Sequence, residues 1–439
     1  MAECKYYKLV RQVSYDSGVT WISLDEYQKG DLYENDSPDC GGGITQYRWV
    51  NVSGEYTCVG TTKYQKTKKQ QSTDGGQTWT DVNPPEYSTG AVIERDSSDC
   101  GGGSGYENQY LTLVARESGR FKISGATSEA WPNTVYYSLD SGATWNTISY
   151  NSYSPTVQSG QKIMWKTQLG STRGWRTFIS SGRFDVEGNA MSLVYGDNFR
   201  GQTSLSGKDM VFYGLFSGSS VVDAENLILP ATTLAEGCYT NMFYNCTSLT
   251  SIPSDLLPAT TLLAGCYNAM FSHCTSLTTL PSNLLPATTL AYMCYFAMFS
   301  NCTALASVPN LPATTLAEEC YYGMFNRCTS LASVPSNLLP ATTLADSCYM
   351  DMFNSCTSLT TAPILPATTL VYRCYTDMFE GCTRLNYIKC LATDISAEDC
   401  TYTWVYGVSS SGTFVKNSSM SGWPSGMSGI PTNWTVQNA

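Results

Sequence analysis

Residues 229–253 read LPATTLAEGCYTNMFYNCTSLTSIP, and five further near-copies carry the chain to Cys390. The shared frame is L-P-A-T-T-L-x-x-x-C-Y-x-x-M-F-x-x-C-T-S-L-x-x-x-P. Repetition at this period predicts a stack in which each copy buries its apolar face against the next. The leading cysteines, Cys238, Cys266, Cys294, Cys320, Cys348, Cys374 and Cys400, are spaced by 28, 28, 26, 28, 26 and 26 residues. The two-residue difference separates P-S-x-L-L-P from P-x-L-P, so length varies in one loop while the frame is kept. An array of this kind favours an extended binding surface over an enzyme pocket.

Within the first copy, Leu234, Cys238, Tyr239, Met242, Phe243 and Cys246 fall at i, i+4, i+5, i+8, i+9 and i+12. That spacing predicts the inner stripe of a short amphipathic helix. Thr233 with Glu236, and Thr315 with Glu318, read as capping boxes at its start. Leu249 to Pro253 reads as a short strand stopped by proline, giving one helix and one strand per copy. The residue pairs 236–237, 240–241 and 244–245 vary between copies and are expected to point outward. Among such positions Tyr244, Tyr292, Phe296, Tyr322 and Tyr372 are the candidate ligand-binding residues, able to stack on sugar rings or anchor a partner.

Twelve of the eighteen cysteines occupy the two fixed places in the repeat and read as small buried hydrophobes. On one helix Cys238 and Cys246 would stand about 12 Å apart, beyond disulfide reach. A bridge among Cys40, Cys58 and Cys100 stays open. The chain has no Cys-x-x-Cys pair, and His273 is its one histidine. His273 sits at a variable repeat position (Asn245, Asn301, Arg327, Ser355 and Gly381 elsewhere), so surface drift explains it better than catalysis. No metal, no cofactor and no enzymatic activity are expected.

The formal net charge of −11 argues against nucleic acid and anionic membranes as partners. Lys63, Lys66, Lys68 and Lys69 form the one basic cluster and read as a solvated strand face. The opening MAECKYY lacks a secretory pattern, and no run of eighteen apolar residues predicts membrane insertion.

Upstream, residues 6–43 align with 64–103, both ending in D-C-G-G-G, and alternate polar with apolar residues as β-hairpins do. The phrase S-x-D-x-G-x-T-W appears three times, around Asp16, Gly18 and Trp21, around Asp74, Gly76 and Trp79, and around Asp140, Gly142 and Trp145. This is the Asp-box. Its Asp and Ser side chains bond the turn backbone, Gly supplies positive φ, and Trp anchors the hairpin. It resembles hairpins decorating sialidase propellers and many unrelated β-domains, and its role is structural. Four regions are expected: tandem β-modules over 1–105, a β-sandwich-like domain over 106–210, the repeat array over 211–390 and a C-terminal cap over 391–439.

C-T-S-L-x-x-x-P preceded by M-F resembles the BspA-like leucine-rich repeat family, with Met where that family has Ala and a longer P-A-T-T turn. The resemblance implies a fold of all-β N-terminal modules and a β-sandwich, followed by an α/β leucine-rich-repeat-like solenoid. Modular β-repeats ahead of a distal binding domain are also similar to fibre and decoration proteins of phages infecting gut Bacteroidales. That likeness implies a non-enzymatic virion protein at the particle surface. Its N-terminal modules would hold other virion proteins, its repeats would contact a host surface glycan or protein, and it could form a homo-oligomer. The alternatives are a bacterial cell-surface BspA-like adhesin and a purely structural capsid decoration.

Overall fold

The computed structural model describes residues 11–13, 22–24, 46–59, 62–72, 79–81, 87–94, 106–126, 131–132, 134–172 and 174–439. The chain divides into two compact units, Met1–Ser104 and Gly105–Ala439.

In the first unit β1 (Arg11–Val13) pairs antiparallel with β2 (Ile22–Leu24). A second sheet holds β3 (Gln46–Val59), β4 (Thr62–Ser72), β5 (Thr80–Asp81) and β6 (Tyr87–Glu94). β4 pairs with all three others, and the lysines at 63, 66, 68 and 69 lie along it. The β3–β4 register slips between Asn51 and Tyr56, where Gly54 lets the strand bulge.

The second unit opens with a six-stranded sheet in the order β10-β9-β11-β7-β13-β14. Its strands are β7 (Leu111–Ala115), β9 (Val135–Ser138), β10 (Asn146–Ile148), β11 (Lys162–Lys166), β13 (Phe184–Asn189) and β14 (Val221–Ile228). A separate ribbon pairs β8 (Phe121–Gly125) with β12 (Arg176–Ser180). Alternate residues of β8 are buried, as a strand with one face on a core requires. Leu113, Ile163, Trp165, Phe178, Phe184 and Val186 fill the space between. β14 runs parallel to β13 and leads directly into Leu229, so the sheet and the first repeat share one hydrophobic core.

The repeats correct the expected fold class. Overall the chain is 3% helical and 22% strand, and an α/β solenoid is not what forms. Among the described residues the only α-helix is α1 (Ser192–Tyr195), outside the repeats. The supposed helix is a ribbon of successive four-residue turns. In the first copy the amides of Cys238, Thr240, Met242, Tyr244 and Cys246 donate to the carbonyl three residues back. The intervening amides of Gly237, Tyr239, Asn241, Phe243 and Asn245 donate to Ala264, Cys266, Asn268, Met270 and Ser272 of the next copy. Every fourth residue is left-handed, with φ of 57° at Gly237, 55° at Asn241 and 58° at Asn245. Thr233 and Thr315 therefore cap no helix; they form bridges to Ser204 and Thr343.

The physical reason lies in the period. At 3.6 residues per turn, positions four apart rotate by about 40° per step, so a helix would swing Cys246 roughly 120° away from Leu234. A four-residue turn ribbon keeps Leu234, Cys238, Met242 and Cys246 in line, and all four are buried. A non-glycine residue in the left-handed region costs about 1 kcal/mol. Burying one Phe or Met side chain returns about 1.5–3 kcal/mol, and each copy buries several.

Tyr239, Tyr267, Tyr295, Tyr321, Tyr349 and Tyr375 form one ring column with centroids 5.7–6.2 Å apart. Phe243, Phe271, Phe299, Phe325, Phe353 and Phe379 form a second at 5.4–5.8 Å. Phe212 and Phe216 start these columns, and Trp404 meets both Tyr375 and Phe379 at their end. Beyond them β15 (Tyr387–Cys390), β16 (Thr413–Lys416) and β17 (Thr435–Asn438) make a small parallel sheet.

Candidate functional site

Because alternate amides bond to the following copy, equivalent residues of successive copies align in columns, most of them at the surface, with Ser272, Ser300 and Thr376 buried. One column runs Glu236, Ala264, Tyr292, Glu318, Asp346, Tyr372 and Glu398. The next runs Thr240, Asn268, Phe296, Tyr322, Met350, Thr376 and Tyr402. The third runs Tyr244, Ser272, Ser300, Asn326, Asn354, Glu380 and Tyr406. The left-handed residues stand between them, which explains why Gly, Asn, Asp and Ser recur there.

The five aromatic candidates do not converge. Tyr292 and Tyr372 are 46% and 38% exposed. Phe296 and Tyr322 are half-buried and stack on each other at 4.7 Å, making a small platform beside Tyr292. Tyr244, in the first copy and upstream of the others, is half-buried against His273, ring to ring at 5.2 Å. Tyr372 instead carries the Arg373 guanidinium 5.0 Å above its ring. Two more exposed tyrosines escaped the sequence reading, Tyr402 at 51% and Tyr406 at 56%. The signal was present in the 26-residue step from Cys374 to Cys400, which continues the repeat frame into the region assigned to a cap. Shallow depressions open beside Tyr402 and Asp399, and beside Tyr406 and Met427.

The later copies make this face acidic. Asn354 Nδ2 donates to Asp351 Oδ1 at 2.8 Å and to Glu380 Oε2 at 3.1 Å. Burial raises the Asp351 pKa, and the neighbouring Asp377 charge adds to that, while bonds from Tyr322 and Asn354 oppose it. Burial, then the Asp351 charge, pushes the Tyr322 phenol up to about 12. Thr403 Oγ1 donates to Asp377, and Arg373 pairs with Asp399 at 3.2 Å. His273 Nδ1 lies 2.9 Å from Ser272 Oγ, and burial followed by the Arg327 charge lowers its pKa, which keeps the ring neutral at pH 7. Among the described residues, no group of three or more His, Cys, Asp or Glu is placed to hold a metal ion. Among them, too, no helix is long and apolar enough to cross a membrane.

Of the Asp-boxes, the first, with Asp16, Gly18 and Trp21, lies outside the described residues, as do Asp74 and Gly76 of the second. Trp79 of the second is half-buried. In the third, Asp140 accepts from the Thr144 amide at 2.9 Å, the Thr144 hydroxyl at 2.6 Å and the Ser138 hydroxyl at 2.7 Å. Those bonds, Thr144's first, hold its carboxyl down at about 2. Gly142 has φ of 89°, and Trp145 is half-buried, edge-on to Tyr110 at 4.8 Å with Lys166 Nζ 4.1 Å above it. Asp140 is thus committed to its turn. Cys40 and Cys100 lie outside the described residues, as does the side chain of Cys58.

No known protein family, curated protein or solved structure matches the chain.

Proposed function

We propose that this chain is a non-enzymatic adhesion protein of a phage virion, a fibre or decoration component that binds a host surface or its glycans through the outward face of the repeats. The reading draws on the sequence likeness to BspA-like repeats and to phage fibre modules. The observation that carries it is the aligned columns of this face, on which Tyr292, Tyr372, Tyr402 and Tyr406 stand exposed. Exposed aromatic faces with hydrogen-bonding and acidic side chains beside them suit sugar rings and protein surfaces alike.

The full chain applied to a glycan array and to intact host cells tests the reading. Binding that drops at least tenfold in a Tyr402→Ser, Tyr406→Ser variant supports it. A flat response on both, or binding indifferent to these residues, overturns it. The virion assignment has its own test: the chain should co-sediment with particles in a density gradient, and its absence there removes that part.

A further inference from the structure

Arg176 opens β12 with 2% of its surface exposed, yet its guanidinium meets a single acceptor among the described residues. Nη2 donates to the Gly170 carbonyl at 3.3 Å, whereas Nε and Nη1 have no partner. Burial lowers the arginine pKa to about 10, so the group is still cationic at neutral pH. A second buried donor lacks an acceptor in the same core. Trp165 Nε1 is unpartnered among the described residues, and its ring packs at 5.1 Å on Phe178, which shares a buried face of β12 with Arg176. A desolvated cation without a counter-charge is strongly unfavourable, and both unmet groups are donors. Both groups call for an acceptor, and the guanidinium charge favours an anionic one.

We propose that the second unit holds a small-anion site at Arg176, which takes a monovalent halide or small carboxylate on the guanidinium edges that Gly170 leaves free. One guanidinium supplies one positive charge, which favours a monovalent ion over phosphate or sulfate. Gly170, whose carbonyl accepts from Arg176, is exposed with nothing within 4 Å of where a Cβ would project, and an ion would enter past it. The bound ion would fasten a junction. The Arg176 amide donates to Tyr213 and the Thr172 amide to Asp209, so this loop joins β12 to the turns that lead into Phe212 and Phe216, where the ring columns start.

Thermal unfolding of the full chain in sodium fluoride, chloride, bromide and formate at equal ionic strength provides the test. Strongly hydrated fluoride should stabilise most if salt acts only through general exclusion. A site at Arg176 reverses that order, with the folded-to-unfolded ratio rising tenfold for each tenfold increase in chloride above its Kd. Arg176→Met should abolish the reversal. Crystals grown in bromide should show an anomalous peak beside Arg176, which decides the matter even if the variant does not fold. Fluoride ranking highest in the wild type, an unchanged order in R176M, or a bromide map empty at Arg176 overturns the proposal.

Discussion

The thiol of Cys274 donates to the carbonyl oxygen of Phe243 at 3.2 Å across 31 residues of sequence. The same bond joins Cys246 to Phe216, Cys302 to Phe271, Cys328 to Phe299, Cys356 to Phe325 and Cys382 to Phe353, at 3.0–3.2 Å. Phe243 O already accepts the Cys246 amide at 3.1 Å, so the thiol takes its remaining lone pair. The second cysteine of each copy is thus both a small hydrophobe and a lateral donor that ties one copy to its predecessor.

Cys302→Ala should remove that bond and leave a small void, lowering stability by about 1–2 kcal/mol. Urea unfolding should show an earlier midpoint at unchanged slope. An unmoved midpoint would mean the thiol serves only as filler.

Burial pushes Cys246, Cys302 and Cys356 up to about 12 from 9.0, so the folded chain holds those protons where the unfolded chain loses them. The stability they contribute is complete below pH 9 and is lost as pH climbs towards 12, by up to about 1.4 kcal/mol per pH unit for each thiol. Urea midpoints at pH 8 and pH 10.5 should differ sharply, and native thiols should resist alkylation at pH 8. Equal midpoints would contradict the burial.

Gly323 has φ of 57°, and the nearest side-chain atom to an added Cβ is 3.9 Å away. Gly323→Ala therefore meets no clash and should still cost about 1 kcal/mol from backbone strain. The sign is diagnostic, since the same change inside a helix would stabilise by about 1 kcal/mol. Ala297→Gly, at φ of 49°, should move the other way. Denaturant midpoints of the two variants check both signs.

The hydroxyls of Tyr239, Tyr267 and Tyr321 are buried without partners among the described residues. Replacing Tyr267 by Phe keeps the ring in its column and removes an unmet polar group. The change should be neutral or stabilising by about 1 kcal/mol. A loss larger than that, measured by thermal unfolding, would reveal an acceptor on that hydroxyl.

The inward set was legible because apolar identity recurs at fixed places: Cys238, Tyr239, Met242, Phe243 and Cys246 are all buried. The backbone that presents them was not. Positions i, i+4 and i+8 fit two turns of a helix nearly as well as a four-residue ribbon, and the distinction rests on left-handed residues. Gly237, Asn241 and Asn245 hint at that conformation, but Met293, Glu319 and Arg373 occupy it too and hide the pattern. The thiol bonds were invisible for a different reason. Their acceptors are backbone carbonyls in another copy, which leave no mark on side-chain identity. Tyr402 and Tyr406 were legible through the Cys400 step but lay beyond the last full copy of the motif.

The most direct test of this fold is which carbonyl accepts the Phe243 amide. A long-range carbonyl-detected NMR experiment on deuterated, isotope-labelled chain reports that partner through the hydrogen bond itself. The stacked turn ribbon predicts a correlation from the Phe243 nitrogen to the Met270 carbonyl of the next copy, with Tyr239 paired likewise to Cys266. A correlation from Phe243 to the Tyr239 carbonyl four residues back would contradict it and restore the helix.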